Sequence, residues 1–375
     1  MTDPSLQSFA RVEVNLDAIR RNARILSVMA SPARLLGVVK SDAYGHGAVR
    51  VARALVDEGV DQLAVATVAE GAELRNAGIE ASILVFAAPL PDSLPAYARY
   101  DLAVTISSRD VAAAVTETAR THGPLRAHVK VDTGMHRLGL RPDEVDAVLR
   151  DLDAAPGVTV EALWTHLATA DGDLAFARRQ MEVFRSLVSS LGTLCPPVTH
   201  IANGPMLLRL PEDASQPDTL VRVGGVLYGM ASSREMHPAV EAAGLAPVMR
   251  LVTRVVHLQT VAEGESISYG RTWVAPGPRR IATVAIGYAD GLPRGLSNAG
   301  RVGIKGALYP IAGRVCMDML MVDLGPPNES ARSVRLGDEA VLFGTGGPHI
   351  LDQAEAAGTM PYELTCALAS RVARS

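Results

Sequence analysis

Short apolar runs rich in β-branched residues alternate with helical segments from residue 35 to residue 224, and this alternation leaves very few folds open. The runs are Leu35–Lys40, Leu63–Thr67, Ser82–Ala87, Leu102–Ile106, Arg126–Asp132, Val158–His166, Val198–Ala202 and Leu220–Gly224. Most are nearly all apolar, as strands buried on both faces of a parallel sheet must be. Between them, segments such as Leu174–Leu191 place apolar residues three and four apart and read as helices. About eight β-then-α units in some 230 residues match the size of a (β/α)8 barrel. A doubly wound open sheet is the main rival, but no G-x-G-x-x-G follows the first run.

The pattern changes near Ala246. Val248–Thr260, Ile281–Ile286, Val302–Ile304, Arg314–Leu324 and Glu339–Phe343 read as strands separated by Gly- and Pro-rich turns, with one short helix around Leu351–Ala357. The expected fold class is α/β plus β. Residues 13–245 form the barrel and residues 246–375 a mainly β domain, which a strand within residues 1–12 can join. Val12–Val14 leads into the first helix with Asn15 as its N-cap.

Composition excludes several functions. With 36 Lys+Arg against 40 Asp+Glu, the net charge is −4, and no basic stripe serves a nucleic acid or an anionic membrane. Met1 to Val14 carries Asp3, Arg11 and Glu13 and does not read as a signal peptide. No apolar run approaches the roughly 20 residues of a membrane helix. Cys195, Cys316 and Cys366 lie far apart and read as reduced thiols, so a cytoplasmic location is expected. There is no H-E-x-x-H, P-loop or G-x-S-x-G, and no support for a metal. Gly344-Thr345-Gly346-Gly347, followed by Pro348, reads as a turn.

In a barrel, functional groups gather just past the C-terminal ends of the strands. Lys40 ends the first apolar run, where desolvation lowers an amine's pKa and frees it as a Schiff-base nucleophile. The bland alternative is a lysine whose stem snorkels at the rim. Other strand ends weigh against it: Lys130, Asp132 and Arg137 end or follow the fifth strand, His166 the sixth, Asn203 the seventh and Arg222 the eighth. Gly224-Gly225 brings bare backbone near a helix start, which suits a phosphate, although a tight turn explains the pair equally well.

These residues carry a resemblance. Val39-Lys40-Ser41-Asp42-Ala43-Tyr44-Gly45-His46-Gly47 is similar to the pyridoxal-phosphate lysine motif of the alanine racemase family. Also similar, in order, are Lys130 to Gly139, Trp164 to Asp171, Val221 to Gly229, Ser268-Tyr269-Gly270-Arg271-Thr272-Trp273 and Gly287-Tyr288-Ala289-Asp290-Gly291. Gly313 to Met319 and Tyr362-Glu363 complete the set, which spans residues 11 to 374.

The resemblance implies pyridoxal 5′-phosphate held by Lys40 as an internal aldimine, and interconversion of L- and D-alanine for peptidoglycan by two bases. Lys40 is one base and the partner subunit's Tyr269 is the other, assisted by a chain through His166 to Arg222. A phenol of reference pKa about 10 needs such help. Arg222 resembles the residue facing the pyridine nitrogen; arginine cannot lend that nitrogen a proton, which favours quick reprotonation over transamination. The resemblance further implies that Arg137 contacts the cofactor's phenolic oxygen and the substrate carboxylate, oriented by a carbamylated Lys130. Tyr44, Asn203, Gly204, Gly224 and Tyr362 would serve the cofactor phosphate, and Tyr288, Met317 and Asp318 the substrate entrance across a homodimer interface.

The chain departs from the family pattern at three places. Asn203 is followed by Gly204-Pro205 where serine is usual, His136 stands for a glycine, and Gly225 for a larger apolar residue. Rival readings are a serine or broad-specificity racemase of the same fold and a non-catalytic pyridoxal-phosphate carrier. The β domain with Tyr269 and Met317 argues against the carrier.

Overall fold

The computed structural model describes residues 9–375. Residues 1–8 of the expected N-terminal strand region lie outside the described residues. The chain divides into two compact units, one of Leu16–Met230 with Glu235–Ala246, the other of the remaining described residues.

The order through the first unit is β1 (Arg11–Val14, contributed to the other unit), α1 (Leu16–Ala30), β2 (Arg34–Val38), α2 (Lys40–Gly45), α3 (Ala48–Asp57), β3 (Gln62–Val65), α4 (Val68–Asn76) and β4 (Ser82–Val85). It continues with α5 (Leu94–Arg99), β5 (Val104–Ile106), α6 (Arg109–His122), β6 (Leu125–Lys130), α7 (Val145–Asp153), β7 (Val158–Trp164), α8 (Leu174–Leu191) and β8 (Val198–His200). Last come α9 (Gly204–Arg209), α10 (Pro211–Ala214), β9 (Leu220–Val223) and α11 (His237–Ala242).

The helices form for ordinary reasons. In α1 the buried Ala18, Ile19, Asn22, Ala23, Leu26 and Ala30 recur three and four residues apart, so one stripe faces the strands. At the start of α4, Thr67 and Glu70 form a reciprocal capping box. Strands β4-β3-β2-β9 and β5-β6-β7-β8 make two parallel ladders. Single parallel bridges Leu84↔Ala103 and Asn203↔Arg222 join them, closing a ring of eight strands. The expected (β/α)8 barrel is therefore borne out.

Most of the expected strands overrun the observed ones at their C-terminal ends. Val65, Val85, Lys130, Trp164 and His200 each end a strand two residues before the expected limit, and Val223 ends one a single residue before it. Among the residues beyond, Val131, Thr165 and Ala202 are buried, and burial gives these residues a strand's composition past the strand's end. The interior is two-faced: Leu36, Val38, Ala64, Leu84, Ala103 and Leu220 pack together, whereas β6 to β9 bury His128, Lys130, His200 and Arg222.

The second unit contains β10 (Met249–Val261), β11 (Ser266–Ile267), β12 (Trp273–Val274), β13 (Arg279–Val284), β14 (Arg301–Ile304), β15 (Ala307–Pro310) and β16 (Leu320–Asp323). After them come α12 (Glu329–Ser333), β17 (Glu339–Phe343), α13 (Ile350–Ala357), α14 (Pro361–Cys366) and β18 (Ala373–Arg374). Its main sheet runs β15-β14-β17-β10-β1-β18, with β13 joining β10 to β16. Arg314–Leu324 was expected to be one strand, but only Leu320–Asp323 pairs, with β13. Residues 314–319 instead form a loop, exposed at Met317, Asp318 and Met319, whose backbone grips the loop carrying Tyr288. The helix α14 was not expected; it is six residues long and starts at Pro361, too short to show a period.

Candidate active site

Lys40 does not end a strand. It opens a turn in which Ser41, Asp42, Ala43 and Tyr44 all lie in the left-handed region, with φ between 52° and 54°. That conformation costs an L-residue roughly 1–2 kcal/mol each, so neighbouring groups must hold it. Glu70 Oε1 accepts from the Ser41 N–H at 2.6 Å and Asp42 Oδ1 from the Ala48 N–H at 2.7 Å. His46 Nδ1 lies 2.9 Å from the carbonyls of Ala43 and Tyr44, and its ring stacks on Tyr228 at 4.5 Å. The turn carries Tyr44 to Gly224: a Cβ added to Gly224 would lie 2.5 Å from the Tyr44 hydroxyl. A side chain there would have to displace the Tyr44 ring.

On the polar side of the barrel, Arg222 is 3% exposed and its guanidinium is nearly saturated. Nη1 reaches His200 Nδ1 at 3.2 Å and donates to the His200 carbonyl at 2.9 Å. Nη2 reaches His166 Nδ1 at 3.1 Å and donates to the Ile201 carbonyl at 3.0 Å. A guanidinium has five N–H groups. The Nε–H is the one that these bonds leave over. Burial first, and the Arg222 charge second, push the His166 imidazole well below its usual range, so it is neutral. Its Nδ1 accepts from Arg222, which assigns its proton to Nε2.

Lys130, at the end of β6, is 2% exposed with Nζ 4.7 Å over the ring of Trp164. Burial first, then Arg222, lower its amine to about 8. Arg137 lies exposed on the loop after β6, close enough that its charge lowers Lys130, His166 and Arg222 alike. Asp132 shapes that loop by accepting from the N–H groups of Gly134 and His136. His136 has φ of 54°, which accounts for a glycine being usual there; here its ring pairs with Asp132 at 3.3 Å.

Asn203 caps α9, its Oδ1 accepting from the Met206 N–H at 3.0 Å. A Cβ on Gly204 would fall inside Val226 Cγ2, so the departure from serine has a steric cause in this chain. Gly204→Ser is expected to cost about 1–3 kcal/mol through overpacking, read as a lower thermal midpoint. Val226→Ala in the same chain should recover most of it. An unchanged midpoint for the single variant would contradict the clash.

The second unit gathers the other expected residues. Tyr269 is 70% exposed and follows Ser268, whose φ of 66° and ψ of −178° belong to a region almost reserved for glycine. The Ser268 hydroxyl donates to the Arg314 carbonyl at 2.7 Å and lies 3.5 Å from Cys316 Sγ, which fixes that backbone. The N–H groups of Tyr288 and Ala289 donate to the carbonyls of Cys316 and Met317, both at 3.0 Å. Tyr288 and Met317 are 44% and 53% exposed. Asp318 is held by Arg371, which also binds Asp290. Tyr362 sits half-buried in α14. Lys40, Tyr44, Lys130, Arg137, His166, Asn203, Gly204, Arg222 and Gly224 thus belong to the barrel unit, and Tyr269, Tyr288, Met317, Asp318 and Tyr362 to the β unit.

Sequence reasoning missed several participants. Trp164 stacks on His200 at 5.2 Å and takes Arg222 over its ring at 5.2 Å. Gln180, buried on α8, donates to the His166 carbonyl and to Thr133. His128 on β6 and His200 on β8 are buried. The signal for these two was present: a histidine inside an otherwise apolar strand run is seldom idle.

Comparison with known proteins shows the family to which the chain belongs. Residues 14–232 match the family model "Alanine racemase, N-terminal domain" and residues 248–375 its C-terminal counterpart. The chain is 40% identical to an alanine racemase of Cutibacterium acnes, over 99% of this chain and 98% of that one. It is 36% identical to that of Halothermothrix orenii, over 96% and 95%. Among solved structures, alanine racemase from Streptomyces lavendulae superposes with a TM-score of 0.90 at 36% identity, covering 98% of this chain and 96% of that one. The Bacillus anthracis enzyme, solved with bound L-Ala-P, gives 0.89 at 34%, covering 98% and 95%. The chain belongs to the alanine racemase family, isomerases that interconvert L- and D-alanine.

Proposed function

We propose that the chain binds pyridoxal 5′-phosphate at the mouth of its barrel unit and racemises alanine by moving the Cα proton between two bases. The Arg222 geometry carries this reading. Its four other N–H groups are engaged within the barrel, so the Nε–H suits the lone pair of a pyridine nitrogen. An arginine there keeps that nitrogen unprotonated. The cradle of Gly224 against Tyr44 fits a phosphate, with a bare Cα beside a hydroxyl. The buried Trp164 indole N–H has no acceptor among the described residues.

When bound, pyridoxal phosphate supplies an electron sink that acidifies the Cα–H of an amino acid. Lys40 holds the group and takes or returns the proton on one face. On the other face the partner subunit's Tyr269 does so, its phenolate favoured by the His166 Nε2–H and the Arg222 charge behind it. Arg137 binds the substrate carboxylate. Tyr44, Tyr362, Asn203, Gly204 and Gly224 hold the phosphate, while Tyr288, Met317 and Asp318 narrow the entrance around a methyl side chain. The enzyme would supply D-alanine for peptidoglycan. Cys195 and Cys316 are thiols rather than disulfide partners, in keeping with a cytoplasmic enzyme.

Lys130 has a neutral fraction near pH 7 that can attack carbon dioxide, forming a carbamate and releasing a proton. The resulting anion would orient Arg137. Labelled bicarbonate should then give a ¹³C carbamate resonance that is absent in Lys130→Arg; the same resonance in both would remove the assignment.

A homodimer with composite sites makes a sharp prediction. Lys40→Ala and Tyr269→Phe chains are each expected to be inactive alone. Mixed and allowed to exchange subunits, they should recover about a quarter of wild-type activity, because half the dimers then hold one intact site of two. No recovery despite proven exchange would sink the shared site.

A further inference from the structure

Behind Arg222 a file of polar groups continues into the barrel. Arg222 Nη1 lies 3.2 Å from His200 Nδ1. His200 Nε2 lies 3.1 Å from His128 Nδ1, and His128 Nε2 lies 3.4 Å from the Glu161 carboxylate. The two ends fix the direction of every bond. A guanidinium can only donate and a carboxylate only accept. His200 therefore accepts at Nδ1 and donates from Nε2, and His128 does the same. Both rings are neutral with the proton on Nε2, and no donor or acceptor in the file is wasted. Both rings are buried, at 0% and 2% exposure.

A local irregularity delivers the carboxylate. Ala127 of β6 pairs with Val160 of β7, but the next residue, His128, pairs with Ala162. The extra residue is Glu161. Bulges re-aim side chains, and this one brings Glu161 onto His128 and within 3.4 Å of Arg126 Nη1. Arg126 is itself tied to Asp101 and Ser82. An ordinary parallel ladder would need no inserted residue, least of all an acidic one.

We propose that Glu161, His128 and His200 are positioning residues for Arg222. The carboxylate, acting through two aligned imidazoles, holds the guanidinium in place with its Nε–H toward the mouth and with Nη2 on His166. This role rests on the reading of the mouth as a pyridoxal-phosphate site. The hydrogen-bond direction does not, and it can be read separately.

The test uses holoenzyme labelled with ¹⁵N-histidine, with resonances assigned through His128→Gln and His200→Gln. Wild type is expected to show bare Nδ1 and protonated Nε2 on both rings. Glu161→Gln, which keeps shape but loses charge, should lower kcat about tenfold, with the KM for alanine changed less than twofold. It should also raise several-fold the fraction of turnovers that end with the amino group left on the cofactor. Glu161→Asp should restore part of both. A protonated Nδ1 on His200, or a Glu161→Gln enzyme with wild-type kcat and partition, would overturn the proposal. If wild type itself failed to racemise alanine, the proposed function would fall while the tautomer result stood.

Discussion

Lys40→Ala is expected to remove racemisation in both directions, by at least on the order of 10³-fold, together with the visible absorption of lysine-bound pyridoxal phosphate. No nearby group substitutes for it. Lys130 is an amine in the same mouth, but its Nζ is over Trp164 beside the Arg222 charge. The variant is expected to keep its fold, because Glu70, Asp42 and His46 brace the left-handed residues after Lys40. A variant that kept both the absorption and the activity, with an unaltered thermal midpoint, would remove Lys40 from the account.

Tyr269→Phe is the second large effect. Net racemisation should fall by about 10²–10⁴-fold in each direction, since a proton must leave one face and arrive on the other. Exchange of the Cα proton with solvent should nonetheless survive from one enantiomer, the one whose hydrogen faces Lys40. This asymmetry is the signature of two bases. The exposed phenol is presented by a rigid turn: Ser268 is held in its unfavourable conformation by the Arg314 carbonyl, so substitution at the ring leaves the backbone in place. Equal loss of exchange from both enantiomers would contradict separate faces.

Much of this architecture could be read in the residues. The count and order of the barrel strands followed from their apolar runs, and α8 has the predicted limits, Leu174–Leu191. The fate of Lys40 could not be read. A left-handed turn built from Ser41, Asp42, Ala43 and Tyr44 has no local signature, because none of the four is glycine and Glu70, which accepts from the Ser41 N–H, comes from α4. The loop 314–319 misled for a different reason. Val315, Met317 and Met319 alternate like a strand, yet Met317 and Met319 are exposed, and alternation cannot tell a sheet partner from a surface waiting for one. The inserted Glu161 was invisible because a bulge is a property of two strands in register. Gly204 was visible as a departure, but its cause, Val226, lies across a loop.

Incubation of the wild-type enzyme and pyridoxal phosphate with L-alanine in D₂O, following optical rotation and Cα deuterium together, tests the two-base account most directly. The account predicts that rotation decays to zero while every molecule converted to D-alanine carries deuterium at Cα, because its new proton comes from a solvent-exchanging base on the opposite face. D-Alanine that retained its original hydrogen throughout would mean that one base carries the same proton across, and would contradict the pairing of Lys40 with Tyr269.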